Sequence, residues 1–144
     1  MNEVTAQEVK DFTLAGMKLL NLPVTIFTEF KDTLPYCAMV EKAGPHFIMR
    51  FDLKAIAMDK KNWKSVVAHE LKHVDQMYSG KLYDFNGLVF WCGEDWTNEA
   101  FAAHVMLSAG ISDAYYKKLP WEFEAFAMQD TIAEQIYHSM RVGV

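Results

Sequence analysis

The chain is poor in basic residues and in long apolar runs, and each shortage excludes a class of protein. Its 14 Lys and Arg are outnumbered by 19 Asp and Glu, a formal net charge of -5, which argues against nucleic acid as the main partner. No run of about 18 apolar residues is present, so we expect no membrane-spanning segment. The first residues do not combine a basic segment with an apolar one. We therefore expect no signal peptide and a cytoplasmic location, in a cell or in a host cell.

Cysteine is also scarce, which excludes a disulfide-rich scaffold. The two cysteines, Cys37 and Cys92, lie far apart and form no CxxC pair. Two separated thiols in a chain without a signal peptide are typical of reduced residues in a core, and this is our expectation here.

What the chain does contain is enough apolar material for one core. Of its 144 residues 51% are hydrophobic, which predicts a single globular domain over residues 1–144. Apolar periodicity and turn signals predict an α+β domain with an N-terminal helix, a short, mostly antiparallel sheet, a central helix and C-terminal helices. The predicted helices are Thr5–Leu20, Trp63–Tyr78, Asn98–Leu107, Ser112–Lys118 and Trp121–Met140. The predicted strands are Val24–Phe30, Tyr36–Glu41 and His46–Phe51, with a further short hairpin or irregular loop around Asn86, Gly87 and Gly93.

The motif that points most strongly to function is His-Glu-Leu-Lys-His at residues 69–73, inside the central predicted helix. Positions i and i+4 of a helix share a face, so the imidazoles of His69 and His73 can converge on one zinc ion. Glu70 lies about 100° further round, where it can take a proton from a metal-bound water without ligating the metal. This HExxH pattern predicts metal-assisted hydrolysis of an amide bond.

A catalytic zinc site of this type needs a third protein ligand, and the residues alone leave its identity open. A carboxylate from a later helix is expected in a His₂Glu site, and the candidates are Glu122, Glu124 and Glu99. Glu122 and Glu124 lie about 200° apart on a helix, so they are not expected to bind the same ion. Acids in a first helical turn also favour the helix dipole without any metal.

The chain resembles gluzincin-type metallopeptidases, and more closely small phage and bacterial HExxH proteins. The resemblance covers roughly residues 66–127 and rests on three segments: His69–Gln76, Phe90–Gly93 and Pro120–Ala125. It implies a zincin-like fold, a zinc cofactor, Glu70 as the general base and Glu122 as the third ligand after His69 and His73. It also implies a peptide or protein substrate, and a host cytoplasm as the location if the protein is phage-encoded.

Two residues depart from the strict zincin pattern, which prefers uncharged residues inside the motif and an apolar residue after it. Lys72 lies inside the motif and Asp75 follows it. We expect Lys72 on the solvated side of the helix and consider Asp75 a candidate acceptor behind the ligands, while Gln76 receives no role. An oxyanion donor is also required, and the candidates are His104, Tyr83, Tyr115, Tyr116, Tyr137 and His138.

A peptidase also requires a binding site for its substrate. The predicted strand His46–Phe51 precedes the motif helix. We expect it to be an edge strand that can pair with an extended peptide.

Two other functions use the same residues. A ferritin-like di-iron protein needs two Glu-x-x-His units on separate helices, whereas this chain has one, Glu70-x-x-His73. A non-catalytic interaction protein with structural zinc has no use for a non-ligating acid such as Glu70. The sequence does not predict an oligomeric state.

Overall fold

The computed structural model describes residues 4–32, 34, 37–58 and 62–142. Its helices are α1 (Ala6–Leu19), α2 (Leu53–Met58), α3 (Trp63–Tyr78), α4 (Thr97–Ser108), α5 (Ala114–Lys118) and α6 (Pro120–Arg141). Its strands are β1 (Ile26–Lys31), β2 (Ala38–Ala43), β3 (His46–Asp52), β4 (Leu82–Phe85), β5 (Leu88–Trp91) and β6 (Glu94–Asp95). The α+β class is therefore confirmed. The short helix α2 was not predicted, and Tyr36, where a strand was expected to begin, lies outside the described residues.

The first sheet has the order β1-β3-β2. Strand β2 pairs with β3 antiparallel across the turn at Gly44 and Pro45, whereas β1 pairs with β3 parallel. The expectation of an edge strand at His46–Phe51 is wrong, because β3 lies between the other two strands. It is also the most buried strand, with Phe47, Met49 and Phe51 at most 1% exposed, and the centre of a sheet suits such a strand. The exposed edge that faces the motif helix is β2.

The second sheet is a meander of order β4-β5-β6. Its first turn has Asn86 and Gly87 both at positive φ, 53° and 79°, the signature of a type I′ hairpin turn. The second turn repeats the pattern with Cys92 and Gly93 at 51° and 85°. The predicted hairpin is confirmed.

Both cysteines are free but exposed. Their assignment to the core is wrong, because Cys37 precedes the edge strand β2 and Cys92 lies in this turn.

The main core lies between the first sheet and helices α1, α3 and α6. Helix α1 begins with a capping box in which Thr5 and Glu8 bond to each other's backbone amides. Gly16 brings α1 close to its neighbours, since a Cβ there would meet side-chain atoms of Leu71 and Ile136. Packing against α1, α6 and the sheet thus fixes the position of α3, which carries the motif.

A smaller apolar cluster fixes the start of α6. It joins the second sheet, α4 and the beginning of α6 through Leu82, Ala100, Ala103, Leu119 and Trp121. Pro120 occupies the first turn of α6, a position that does not require its missing N–H. Together these contacts hold the first turn of α6 against α3. Within the described ranges, no helix is both long enough and apolar enough to cross a bilayer.

Candidate metal centre

The two motif histidines and Glu122 meet at one point between α3 and α6. The Nε2 atoms of His69 and His73 lie 3.1 Å apart, and Oε1 of Glu122 lies 3.0 Å and 3.1 Å from them. All three residues are buried, with 5% to 8% of each residue exposed. The structure thus brings together the three predicted ligands.

The other nitrogen of each imidazole is bonded to a glutamine. His69 Nδ1 lies 2.8 Å from Oε1 of Gln129, and His73 Nδ1 lies 2.8 Å from Oε1 of Gln76. Because an amide oxygen only accepts, each Nδ1 carries the proton and donates it. In the neutral rings both Nε2 lone pairs therefore point at the Glu122 carboxylate. This tautomer is the one that a metal ligand requires.

Three acceptor atoms at such short separations favour a cation between them. Without a metal, the site holds a proton instead. Burial lowers the pKa of His73, but the hydrogen bond and the charge of Glu122 outweigh it and raise the pKa to about 9. Burial likewise raises the pKa of Glu122, and its hydrogen bonds to His69 and His73 reverse this and lower the pKa to about 2. The metal-free pair is therefore ionised near neutral pH.

The site opens into a cleft of about 480 Å³. Its lining includes Cys37 and the first residues of β2, and also His104 and Tyr116. Glu70 lies on the cleft beside the two histidines and is 8% exposed. Burial raises its pKa, an effect opposed by the histidines and reinforced by Glu122. A carboxylate with a raised pKa beside a metal site is suited to accepting a proton.

The other candidate ligands lie elsewhere. Glu99 is exposed on α4. Glu124 points away from the histidines, with Oε1 3.1 Å from Nε2 of Gln76 and 3.6 Å from Nζ of Lys72. Of the oxyanion candidates, His104 and Tyr116 line the cleft, with ring centroids 5.4 Å apart. The other four, Tyr83, Tyr115, Tyr137 and His138, are exposed and do not line it.

Lys72 does not lie on a solvated face, so that expectation is wrong. The residue is 8% exposed, and its Nζ lies 3.0 Å from Oδ2 of Asp75. Asp75 pairs with this ammonium, and the imidazole protons go to glutamines instead. Helix α3 packs against α6, α1 and β2, and Lys72 is buried on the side of α6, where its Nζ also lies 3.6 Å from Oε1 of Glu124.

Sequence reasoning missed both glutamines. Gln76 follows His73 by three residues, which places the two on neighbouring parts of one helix face, so helical spacing alone was a usable signal. Gln129 comes from α6, and only the packing of α6 on α3 brings it to His69.

No family model, curated protein or solved structure matches this chain.

Proposed function

We propose that this protein is a zinc-dependent peptidase of the gluzincin type. His69, His73 and Glu122 are the zinc ligands, and Glu70 is the general base. The observation that carries the proposal is the convergence of Nε2, Nε2 and Oε1 within 3.0–3.1 Å of one another on a cleft that also contains Glu70.

The residues fit zinc in donor type and in spacing. Ligand bonds of about 2.0–2.1 Å at a tetrahedral ion separate the ligand atoms by about 3.3 Å. The observed separations of 3.0–3.1 Å are only a few tenths of an ångström shorter. Two imidazoles and one carboxylate leave a fourth position for water, as in catalytic rather than structural zinc sites. When bound, zinc would lower the pKa of this water and polarise a carbonyl group.

Glu70 supplies the proton transfers. It takes a proton from water as the water oxygen bonds to the carbonyl carbon of the substrate. It then passes this proton to the amide nitrogen as the carbon–nitrogen bond breaks, which yields a carboxylic acid and an amine. Transfer of the acid's remaining proton to the amine gives a carboxylate and an ammonium group. His104 and Tyr116, which line the cleft, are the candidates to donate hydrogen bonds to the developing oxyanion.

The edge of β2 offers a seat for an extended peptide. The backbone oxygen of Cys37 accepts a hydrogen bond from the N–H of Asp52 at the end of β3. Because backbone groups alternate in direction along a strand, Ala38 and Val40 direct theirs away from β3, to the open edge. The cleft runs along this edge, and a second hollow of about 450 Å³ continues it past Met77 and Leu82. A substrate strand paired with β2 would lie over the site, in the way that peptides add to exposed sheet edges.

The test separates zinc binding from catalysis. Purified protein is expected to contain about one zinc. Glu122→Gln should lose or weaken it, whereas Glu124→Gln, a matched change two residues away, should retain it. Retention of zinc by Glu122→Gln with loss in Glu124→Gln would overturn the ligand assignment.

Catalysis is tested with Glu70→Gln, which removes the base but no ligand. This variant should keep its zinc and fail to cleave a denatured proteome that the wild type cleaves, with new termini mapped by mass spectrometry. Identical cleavage maps for the two proteins would reject the peptidase and favour the alternative, a non-catalytic zinc protein that binds a partner.

A further inference from the structure

Gln76 contacts the ligands of the site from two directions. Its oxygen accepts the Nδ1 proton of His73 at 2.8 Å. Its Nε2 donates to the backbone oxygen of Trp121 at 3.0 Å and to Oε1 of Glu124 at 3.1 Å. Trp121 immediately precedes Glu122, and Glu124 follows it by two residues. One amide therefore touches the ligand on α3 and both sides of the ligand on α6.

This arrangement gives each polar group of the Gln76 amide a hydrogen-bond partner. Gln76 is 0% exposed, so each of its polar groups needs a partner within the protein. The oxygen has one donor, and the two N–H groups have one acceptor each. A rotation of the amide by 180° would set N–H against N–H at His73 and oxygen against oxygen at Trp121. The amide is thus locked in one orientation from both ends.

We propose that Gln76 is a positioning residue. It holds the His73 ring and the Glu122 carboxylate at their present separation and orientation before any metal binds. The inference rests on the proposed zinc site, and it assigns to Gln76 a function that the HExxH motif does not contain. The acceptor end fixes the ring orientation of His73, and it keeps a proton on Nδ1 when Nε2 gives up its own to a metal. The donor end fixes the first turn of α6, and with it the distance from Glu122 to the histidines.

The donor end distinguishes Gln76 from an ordinary partner of a ligating histidine. A carboxylate would accept the His73 proton equally well, as carboxylates commonly do behind metal ligands. It would have no proton for the Trp121 oxygen, and it would face the Glu124 carboxylate at about the present 3.1 Å. Gln129 is itself part of α6, so it does not link the two helices through its amide nitrogen. It is also only half-buried, so water can solvate that nitrogen.

The pair Gln76→Glu and Gln129→Glu tests this distinction, since each variant keeps an acceptor for its imidazole. Zinc affinity is measured by competition with a chromophoric chelator, and site geometry by the absorption spectrum of the cobalt(II) form. We expect Gln76→Glu to bind zinc at least tenfold more weakly than Gln129→Glu and to alter the cobalt spectrum more. Equal affinities in the two variants would overturn the proposal, because the acceptor end would then be all that matters.

A measurement on the unaltered protein keeps the inference testable if Gln76→Glu does not fold. In metal-free wild type, NMR should find the Nε2 protons of Gln76 protected from solvent exchange. Rapid exchange of these amide protons would show that Gln76 does not hold its hydrogen bonds to Trp121 and Glu124 without metal. Failure of the proposed function is a separate result. If the wild type binds zinc but cleaves nothing, or binds no zinc, the exchange measurement on the metal-free protein still tests the role of Gln76.

Discussion

Replacement of Glu122 by glutamine should change how the stability of the metal-free protein depends on pH. The carboxylate lies 3.0–3.1 Å from both Nε2 atoms and holds the pKa of His73 at about 9. Glutamine keeps the shape of the side chain but removes its charge. Burial, which lowers the pKa of His73, then has no carboxylate at this position to oppose it.

The magnitude follows from the pKa values. The folded-state pKa of His73 is raised, so its stabilising effect is complete below about 6.5 and is lost as the pH rises through about 9. That of Glu122 is lowered to about 2, so its effect is complete above 4.5 and is lost as the pH falls through about 2. Both values describe one interaction and are not added. Between pH 6.5 and pH 9, linkage removes about 3 kcal/mol from the free energy of unfolding.

The assay is urea unfolding in the presence of a chelator, from pH 5.5 to pH 9.5. Wild type should lose about 3 kcal/mol more than Glu122→Gln across this range. Glu70, whose pKa is also raised, contributes a loss of stability in the same direction in both proteins. Part of its shift comes from Glu122, so the difference between the profiles reports the effect of the Glu122 charge on His73 and Glu70 together. Glu134→Gln, the same change at an exposed position of α6, is the control and should follow the wild type. Parallel profiles for wild type and Glu122→Gln would refute the reasoning.

Three further results are expected. Zinc affinity, measured by chelator competition, should rise about tenfold per pH unit from pH 6.5 towards 9, because zinc must displace the proton of His73; a flat profile would contradict this. Gly16→Ala should lower the free energy of unfolding, measured with urea, by about 1 kcal/mol. Overpacking against Leu71 and Ile136 costs about 1–3 kcal/mol, which outweighs the gain in helix propensity. Equal or greater stability of the variant would contradict this. Phe85→Ala, in the second hollow, should change the cleavage preference at residues away from the scissile bond without changing zinc affinity. An unchanged preference would show that the substrate does not occupy this hollow.

The parts of the fold that the sequence predicts are those governed by local chemistry. The helix that carries the motif extends from Trp63 to Tyr78 as expected, because apolar spacing and Gly80 mark it. The hairpin at Asn86 and Gly87 is also expected, because few residue pairs tolerate positive φ at both positions.

The order of the first sheet is not predictable in the same way. Consecutive strands β1 and β2 do run in opposite directions, but β3 lies between them and makes one pairing parallel. Strand patterns report which residues face the core and not which strand is the neighbour. This is why the edge was assigned to β3 rather than to β2.

The candidate site divides along the same line. His69, Glu70 and His73 are fixed by helical spacing within one element, whereas the approach of Glu122 depends on how α6 packs on α3. Resemblance to a family supplied that residue when geometry alone left it open. Gln129, for which neither argument was available, emerged only from the fold.

Lys72 shows why a departure from a motif has to be weighed in three dimensions. As a charge inside HExxH it departs from the strict zincin pattern. In the fold its ammonium lies between Asp75 and Glu124, at 3.0 Å and 3.6 Å, and lines neither hollow. There it offsets the charge of the same Glu124 oxygen that accepts from Gln76. The lysine thus belongs to the support of the two helices behind the ligands, and its charge is no argument against chemistry at the open face of the site.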